Sequence, residues 1–356
     1  MGIDQAPPDL RGRGHPDRLF RALGGLIDGY EWLTCGASLH RRPARKVIRE
    51  RILTVQQTRV EAAGVRSFSL VSGSGDPLPR WQPGAHLDIL LPSGRRRQYS
   101  LCGDPADRSA YRIAVRLIAH GAGGSRELHE SVATGCTMSV RGPRNAFPFV
   151  PASHYLFLAG GIGITPILPM VKHAAAGGTP WQLVYTGRCR QSMPFLDELS
   201  ELDPNRILLR PYDQYGYLPG TRLLAHALPG ATVYCCGPPA MIASVRRDFP
   251  TSAASALHGE RFTAPPIAGG EAFDVRLWRS NRVIRVPADR SVLDTLQEVL
   301  PTLPYSCRRG FCGTCRTRVI AGEVAHHDQV LTPQERAETM TICVSRSRGG
   351  PITLDL

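Results

Sequence analysis

The stretch Cys307-Arg-Arg-Gly-Phe-Cys312-Gly-Thr-Cys315 places three cysteines in one short loop, and Cys343 follows after 27 intervening residues. This is the C-x4-C-x2-C…C spacing of a plant-type [2Fe–2S] cluster. A tight loop and one distant strand can together supply the two thiolates that each iron needs, and Gly310 and Gly313 let the backbone turn tightly. The spacing predicts that Cys307, Cys312, Cys315 and Cys343 bind such a cluster.

Zinc is the main alternative at these cysteines. Structural zinc sites usually pair two short ligand units such as C-x2-C. Here only one C-x2-C occurs, and Cys343 has no cysteine or histidine close to it in the sequence. Four unrelated buried thiols are the remaining alternative. The spacing favours the cluster, and a chain that carries one is expected to transfer electrons.

Length, cysteine content and charge narrow the class of protein. A chain of 356 residues suggests two or three domains, and ten cysteines are too few for a disulfide scaffold. The sequence has no signal-peptide core and no integral membrane segment, so we expect a cytoplasmic protein. The net charge is +13, but its arginines are scattered rather than clustered with aromatic residues. This argues against a nucleic-acid partner and favours an acidic protein partner.

The pattern of hydrophobic residues predicts three domains after an N-terminal extension. Residues 1–45 form that extension, in which apolar residues recur at helical spacing. Residues 46–150 alternate as short strands and predict an antiparallel β-barrel. One helix, 125–132, interrupts them, and Ser125 is its predicted N-cap. The barrel is the first of the three expected domains.

Two further domains follow the barrel. Residues 151–264 alternate strands (155–159, 182–185, 206–209, 232–236) with helices, which predicts a doubly wound parallel sheet. After a Pro/Gly linker, residues 271–356 contain a hairpin, a helix that begins at Ser291, and the cysteine loop. This order fits a β-grasp domain. The expected fold is therefore a multidomain α/β and β protein.

Four short motifs are candidates for ligand binding. Gly160-Gly-Ile-Gly-Ile-Thr-Pro166 lies at a strand-to-helix turn, where it is either a nucleotide site or a packing turn. Arg97 and Tyr99 share one face of a strand, and Gly123-Gly-Ser125 precedes a helix, so both can meet a phosphorylated ligand. Cys236-Gly-Pro238 ends the last parallel strand, where Cys236 is either a nicotinamide contact or a buried thiol.

In their order along the chain, these motifs resemble the phthalate dioxygenase reductase / vanillate demethylase reductase family over residues 47–356. The ordered set also includes Arg141-Gly-Pro-Arg-Asn145 and His258-Gly-Glu-Arg-Phe262. The resemblance implies an FMN-binding barrel, an NAD-binding domain and a C-terminal plant-type ferredoxin domain. It implies that Ser100, Thr165, Cys236 and Phe262 surround the reacting rings. The implied cofactor-binding residues are Arg97, Tyr99, Ser100, Gly124, Ser125, Gly160, Gly161, Gly163, Thr165, Pro166, Cys236, Gly237 and Pro238.

The resemblance also implies an activity, namely transfer of electrons from NADH through FMN and the [2Fe–2S] cluster to a separate oxygenase of Rieske type. An FAD-containing reductase of the phenylacetyl-CoA epoxidase type and a redox-sensing iron–sulfur flavoprotein are the alternatives. Arg188 and Arg190 follow the second parallel strand, so NADPH is the alternative to NADH. Arg308 and Arg309 lie beside the cluster cysteines, where we expect them to select an acidic partner.

Overall fold

The computed structural model describes residues 50–119, 123–262, 270–305, 308–310, 313–328 and 330–356. The chain divides into two compact units, Met1–Ile48 and Arg49–Leu356, and the second contains every described residue. The predicted N-terminal helix therefore lies outside the described residues, as do Cys307 and Cys312.

The first sheet is a closed antiparallel barrel. Its strands are β1 (Glu50–Ala62), β2 (Val65–Ser72), β3 (Ala85–Leu90), β4 (Arg96–Ser100), β5 (Ala110–Arg116) and β6 (Thr137–Asn145). They are ordered β4-β3-β6-β1-β2-β5, and Leu101, just beyond β4, pairs with Ile113 of β5. Alternate side chains point inward, so apolar residues such as Phe68, Leu87 and Ile89 fill the barrel. The predicted barrel is confirmed.

One helix, α1 (Gly124–Ser131), lies between β5 and β6. The prediction that Ser125 is its N-cap is wrong. The N-cap is Gly123, whose φ of 83° is left-handed, and no side chain caps this end. Ser125 lies inside the first turn, where its Oγ accepts a hydrogen bond of 3.1 Å from the Ile118 N–H. The reason is that Gly123 adopts a left-handed conformation and starts the helix two residues earlier than a cap at Ser125 would.

The second sheet is parallel and doubly wound. It contains β7 (Tyr155–Gly160), β8 (Trp181–Gly187), β9 (Ile207–Pro211), β10 (Thr232–Cys236) and β11 (Ala256–Glu260), in the order β11-β10-β7-β8-β9. The helices are α2 (Ile164–Ala176), α3 (Leu196–Ser200), α4 (Tyr212–Tyr215), α5 (Gly220–Leu224) and α6 (Pro239–Asp248). The chain moves from one side of β7 to the other between β9 and β10, which makes the β7/β10 junction the topological switch point.

The sequence prediction missed β11 as a strand. Its five residues, Ala-Leu-His-Gly-Glu, are only half-buried apart from Glu260, and Gly259 interrupts them. Such a short edge strand has no clear hydrophobic pattern. In the structure it pairs in parallel with β10, and Glu260 lies beside Cys236. The strand thus places Glu260, and the nearby Phe262, at the switch point.

The third sheet is mixed and fits the predicted β-grasp domain. It contains β12 (Phe273–Leu277), β13 (Arg282–Val286), β14 (Arg316–Ala325), β15 (Thr339–Thr341) and β16 (Arg346–Leu354), ordered β13-β12-β16-β14-β15. Its helices are α7 (Val292–Leu296) and α8 (Pro333–Arg336). The predicted cap of α7 is confirmed, because the Asp294 N–H donates to Ser291 Oγ at 3.0 Å. No helix in the described part of the chain is long and apolar enough to cross a bilayer.

Candidate functional site

A cavity of about 390 Å³ lies where the barrel, the parallel sheet and the cysteine loop meet. Barrel strands β4 and β5 and the start of α1 form one side, and the turns after β7 and β10 form the other. Most residues predicted to bind the flavin or the nucleotide line it, namely Arg97, Tyr99, Ser100, Gly124, Ser125, Gly160, Gly163, Thr165, Gly237, Pro238 and Phe262. Residues from distant parts of the sequence are therefore assembled at one place.

Three predicted residues do not line this cavity. Gly161 and Pro166 belong to the same turn and helix start but are not part of its wall. Cys236 is fully buried and packs in the apolar core beneath the cavity. Burial raises the pKa of its thiol well above the ordinary value, so it is a neutral thiol at physiological pH. Its predicted contact with nicotinamide stays a prediction.

The barrel end of the cavity suits an anionic phosphate. A Cβ built on Gly124 would lie 2.7 Å from Arg97 Nε, so glycine lets the Arg97 side chain lie against the first turn of α1. The first-turn N–H groups and the guanidinium together offer donors and positive charge. Burial raises the pKa of Tyr99 to about 12, so this ring stays neutral beside them. These residues fit the phosphate and ring of a flavin nucleotide.

The opposite end of the cavity is built by two strand ends that approach very closely. A Cβ built on Gly163 would lie 2.2 Å from the carbonyl oxygen of Cys236, and one on Gly160 would lie 2.5 Å from Pro238 Cδ. Thr165 Oγ1 donates to the Ile162 carbonyl at 2.9 Å, which fixes the turn. Dinucleotides bind beyond the carboxyl ends of parallel strands at a switch point, so this end suits a nicotinamide nucleotide.

Glu260 is an ionisable residue that the sequence prediction did not single out. Its side chain is buried beneath the cavity, and its Oε2 has no hydrogen-bond partner within the described ranges. Burial raises the pKa of this carboxyl to about 7, an effect that the positive charge of Arg309 opposes. The only sequence signal was its position two residues before Phe262.

The raised pKa of Glu260 predicts a pH-dependent stability. The folded pKa lies above the ordinary value of 4.5, so its contribution is fully present below pH 4.5 and is lost as the pH rises through about 7. At about 1.4 kcal/mol per pKa unit, the free energy of unfolding falls by about 3 kcal/mol across this window. In Glu260→Gln this component should disappear. Thermal unfolding of both proteins from pH 5 to 8.5 measures it; parallel curves would contradict the prediction.

The ferredoxin-like domain buries the two predicted cluster ligands that the structure describes. Cys315 and Cys343 are both in the core of the third sheet. Gly310 and Gly313 have φ values of 77° and 68°, which is the tight backbone that the sequence predicted for this loop. Cys307 and Cys312 lie outside the described residues. The described part of the loop fits a wrapped cluster, and the role of each cysteine stays a prediction.

The two arginines of the loop have partners within the chain. Arg308 Nη1 donates to Asp294 Oδ1 at 2.8 Å, and its guanidinium carbon lies 4.3 Å from the centre of the Tyr305 ring. Arg309 lines the cavity, with its guanidinium carbon 5.8 Å from the centre of the Phe262 ring. Both arginines are partly exposed, and their predicted role in docking an acidic partner stays a prediction.

Tyr305 fastens the ferredoxin-like domain to the barrel. Its hydroxyl accepts a hydrogen bond from Arg96 Nη1, and its carbonyl accepts one of 2.8 Å from Arg144 Nη1. The Arg144 guanidinium carbon lies 5.3 Å from the ring centre, while Arg144 also pairs with buried Asp88 at 3.2 Å. Tyr305 precedes Cys307 by two residues. We call the contacts of Tyr305 with Arg96 and Arg144 the Tyr305 clasp. They fix the position of the cysteine loop relative to the barrel.

Tyr305→Leu should weaken the contacts between the ferredoxin-like domain and the barrel without loss of the flavin from the cavity. It removes one hydrogen bond and two cation–π contacts, which are worth about 0.5–2 kcal/mol each. We expect electron transfer from flavin to cluster to slow by about tenfold or more, given that loss of docking energy, with flavin and iron contents unchanged. Stopped-flow absorbance after mixing with NADH measures both steps. Tyr305→Phe is the control, which keeps the ring; an unchanged rate in Tyr305→Leu would refute the clasp.

Comparison with known proteins agrees with this architecture. Residues 275–348 match the family described as "2Fe-2S iron-sulfur cluster binding domain", and residues 157–247 match "Oxidoreductase NAD-binding domain". The chain therefore carries a [2Fe–2S] domain rather than a zinc site, together with an NAD-binding domain. The prediction of a [2Fe–2S] domain and the fold class are confirmed, while the assignment of the four cysteines as its ligands stays a prediction.

Several known proteins are similar over most of the chain. The tert-butanol monooxygenase / tert-amyl alcohol desaturase reductase subunit of Aquincola tertiaricarbonis is 36% identical over 321 residues, covering 85% of this chain and 95% of that protein. The solved phthalate dioxygenase reductase is 33% identical with a TM-score of 0.67, covering 86% of this chain and 98% of that one.

A longer protein also matches. Full-length CYP116B46 from Tepidiphilus thermophilus is 36% identical with a TM-score of 0.71; the match covers 92% of this chain but 45% of that one. The present chain thus spans less than half of that protein. The two proteins above are instead matched over nearly their whole length, and these matches show the family. The chain belongs to the phthalate dioxygenase reductase family, whose members are NAD-linked reductase components that pass electrons through a [2Fe–2S] ferredoxin domain to an oxygenase.

Proposed function

We propose that this chain oxidises NADH at an FMN held in the cavity and sends the electrons through its [2Fe–2S] cluster to a Rieske-type oxygenase. The cavity carries the proposal, because it places barrel residues, the nucleotide-binding turns and a residue of the cluster loop around one space. FMN would accept a hydride and release electrons singly to the cluster. The chain's own residues bind and orient these groups.

The proposed roles follow the two ends of the cavity. Arg97, Gly124 and Ser125 hold the flavin phosphate, while Tyr99 and Ser100 line the ring site next to Phe262. At the other end, Gly160, Gly163, Thr165, Gly237 and Pro238 hold the nicotinamide half of the dinucleotide. Cys307, Cys312, Cys315 and Cys343 hold the cluster. Gly161, Pro166 and Cys236 support the turn and the floor from outside the cavity wall.

FMN is proposed over FAD because Arg97 and the start of α1 form a compact phosphate site at the barrel end of the cavity. Release of the flavin by acid, followed by chromatography against both standards, decides between them. FMN alone supports the proposal, and FAD would overturn it. A protein purified with neither flavin nor cluster absorbance would contradict the whole function.

NADH is proposed as the electron donor, and NADPH is the alternative. Two arginines, Arg188 and Arg190, follow β8. Both are exposed, and neither lines the cavity. Steady-state rates of ferricyanide reduction with each nucleotide measure the preference. A higher kcat/KM with NADPH would refute this choice. No turnover with either would instead favour a redox sensor.

The partner is proposed to be a Rieske-type oxygenase, on the ground that similar proteins include a phthalate dioxygenase reductase and a phenoxybenzoate dioxygenase subunit beta. A cytochrome P450 is the second candidate, because full-length CYP116B46 contains a portion similar to nearly all of this chain. Affinity capture on the tagged holoprotein, followed by absorbance and mass spectrometry, separates them. A captured haem protein that accepts its electrons would replace the first candidate. We also propose the cytoplasm as its location, since Cys102, Cys136, Cys189, Cys235 and Cys236 form no disulfide.

A further inference from the structure

Arg309 reaches from the cluster loop into the space where the hydride donor is proposed to bind. It is the cavity's one lining residue, among those described, that comes from the ferredoxin-like domain. Its guanidinium carbon lies 5.8 Å from the centre of the Phe262 ring. The neighbouring Arg308 turns the other way and pairs with Asp294. The loop therefore presents one positive charge to the cavity and one to its own domain.

The charge of Arg309 acts on groups beneath the cavity. It opposes the rise in the pKa of buried Glu260, and it favours the thiolate form of buried Cys236. It also acts with burial to lower the pKa of His86 to about 4, so His86 adds no charge there. Besides Arg97 at the barrel end, the charged groups around the cavity are Arg309 and Arg116, which both line it, and Glu260 beneath it.

The ligand changes its own charge during the reaction. The nicotinamide ring of NADH is neutral, and loss of a hydride leaves the ring of NAD+ with a positive charge. A nearby fixed cation therefore leaves binding of NADH almost unchanged and weakens binding of NAD+. At an effective dielectric constant of about 20, two unit charges within about 10 Å change a dissociation constant by roughly tenfold.

We propose that Arg309 is a specificity-determining residue that favours reduced over oxidised nicotinamide, so that product release is assisted by repulsion from the cluster loop. The inference rests on the proposed function, because it takes the nicotinamide to bind at this end of the cavity. The negative charge of ionised Glu260 opposes the effect of Arg309 on the binding of NAD+. Arg309 and Glu260 thus contribute to the selectivity together with the other fixed charges of the cavity, and the ferredoxin-like domain takes part in nucleotide recognition.

Three ligands test the proposal by calorimetry on the oxidised holoprotein at pH 8. They are NAD+, with a cationic ring, 1,4,5,6-tetrahydro-NAD, with a neutral ring that donates no hydride, and ADP-ribose, with no ring. In Arg309→Met the ratio of the Kd for NAD+ to that for tetrahydro-NAD should fall by about tenfold, from the charge interaction above. ADP-ribose binding should stay unchanged. Arg309→Lys should retain most of the ratio.

Arg308→Met is the matched control, since Arg308 points away from the cavity, and its ratio should equal that of the wild type. Glu260→Gln gives a second test on another domain and should raise the ratio. An unchanged ratio in Arg309→Met, or equal shifts for NAD+ and ADP-ribose, would overturn the proposal. If Arg309→Met cannot be measured because it loses its cluster, Glu260→Gln decides: an unchanged ratio of the two Kd values in that variant would overturn the proposal. In each case, NADH turnover by the wild type shows separately that the proposed function holds.

Discussion

Cys343→Ala should abolish electron delivery to protein acceptors while leaving the flavin reducible by NADH. Cys343 is buried in the core of the ferredoxin-like sheet, and it is the one predicted ligand outside the loop. Because each iron needs two thiolates, loss of one ligand should lower cluster content and cytochrome c reduction by about 100-fold. Iron analysis, EPR after reduction and stopped-flow flavin bleaching measure the separate steps.

Cys136→Ala is the control for this substitution. Cys136 is a half-buried free thiol of the barrel with no predicted role in cofactor binding. It should keep full cluster content and full cytochrome c reduction. A Cys343→Ala protein with a normal cluster signal would show that the fourth ligand has been assigned wrongly.

Gly163→Ala should be the most damaging single-methyl change at the nucleotide end of the cavity. The added Cβ would lie 2.2 Å from the Cys236 carbonyl oxygen and 2.9 Å from the Gly237 N. Both contacts are with backbone, so no side chain can rotate away. Separating the two turns should cost about 3 kcal/mol or more, which is the range of severe core substitutions. The dinucleotide site should be lost with it.

Thermal unfolding and NADH-dependent ferricyanide reduction measure the effect of Gly163→Ala. We expect the unfolding midpoint to fall by about 5–10 °C, from the stability loss above, and activity to be close to background. Gly349→Ala is the control, because a Cβ there meets open space at an ordinary φ. A Gly163→Ala protein as stable and active as this control would contradict the close approach of the two turns.

The features that the sequence predicted well depend on local patterns. Cysteine spacing predicted the cluster domain, alternation predicted the barrel, and the stretch from Gly160 to Pro166 was correctly placed at a strand-to-helix turn. Each of these patterns lies within a short stretch of sequence, because a tight loop, a strand face and a strand-to-helix turn each require particular residue types at neighbouring positions. The exception was the cap of α1, where Gly123 replaced the expected Ser125.

The features that sequence reasoning missed depend on contacts between distant segments. Arg309 meets Phe262 only because the ferredoxin-like domain lies against the segment that follows β11, and the Tyr305 clasp depends on Arg96 and Arg144 of the barrel. Glu260 was not singled out, because only the pairing of β11 with β10 places it beside Cys236. Neither Arg308 nor Arg309 could be assigned a direction from the loop sequence alone.

The central claim is an internal chain of electron carriers, from NADH to flavin to cluster. It is tested most directly by mixing anaerobic holoprotein with one equivalent of NADH and following flavin absorbance together with freeze-quench EPR of the cluster. The account predicts that the flavin bleaches first and that the signal of the reduced cluster then rises as flavin absorbance partly recovers. A flavin that bleaches with no cluster signal, or a cluster reduced before the flavin, would contradict it.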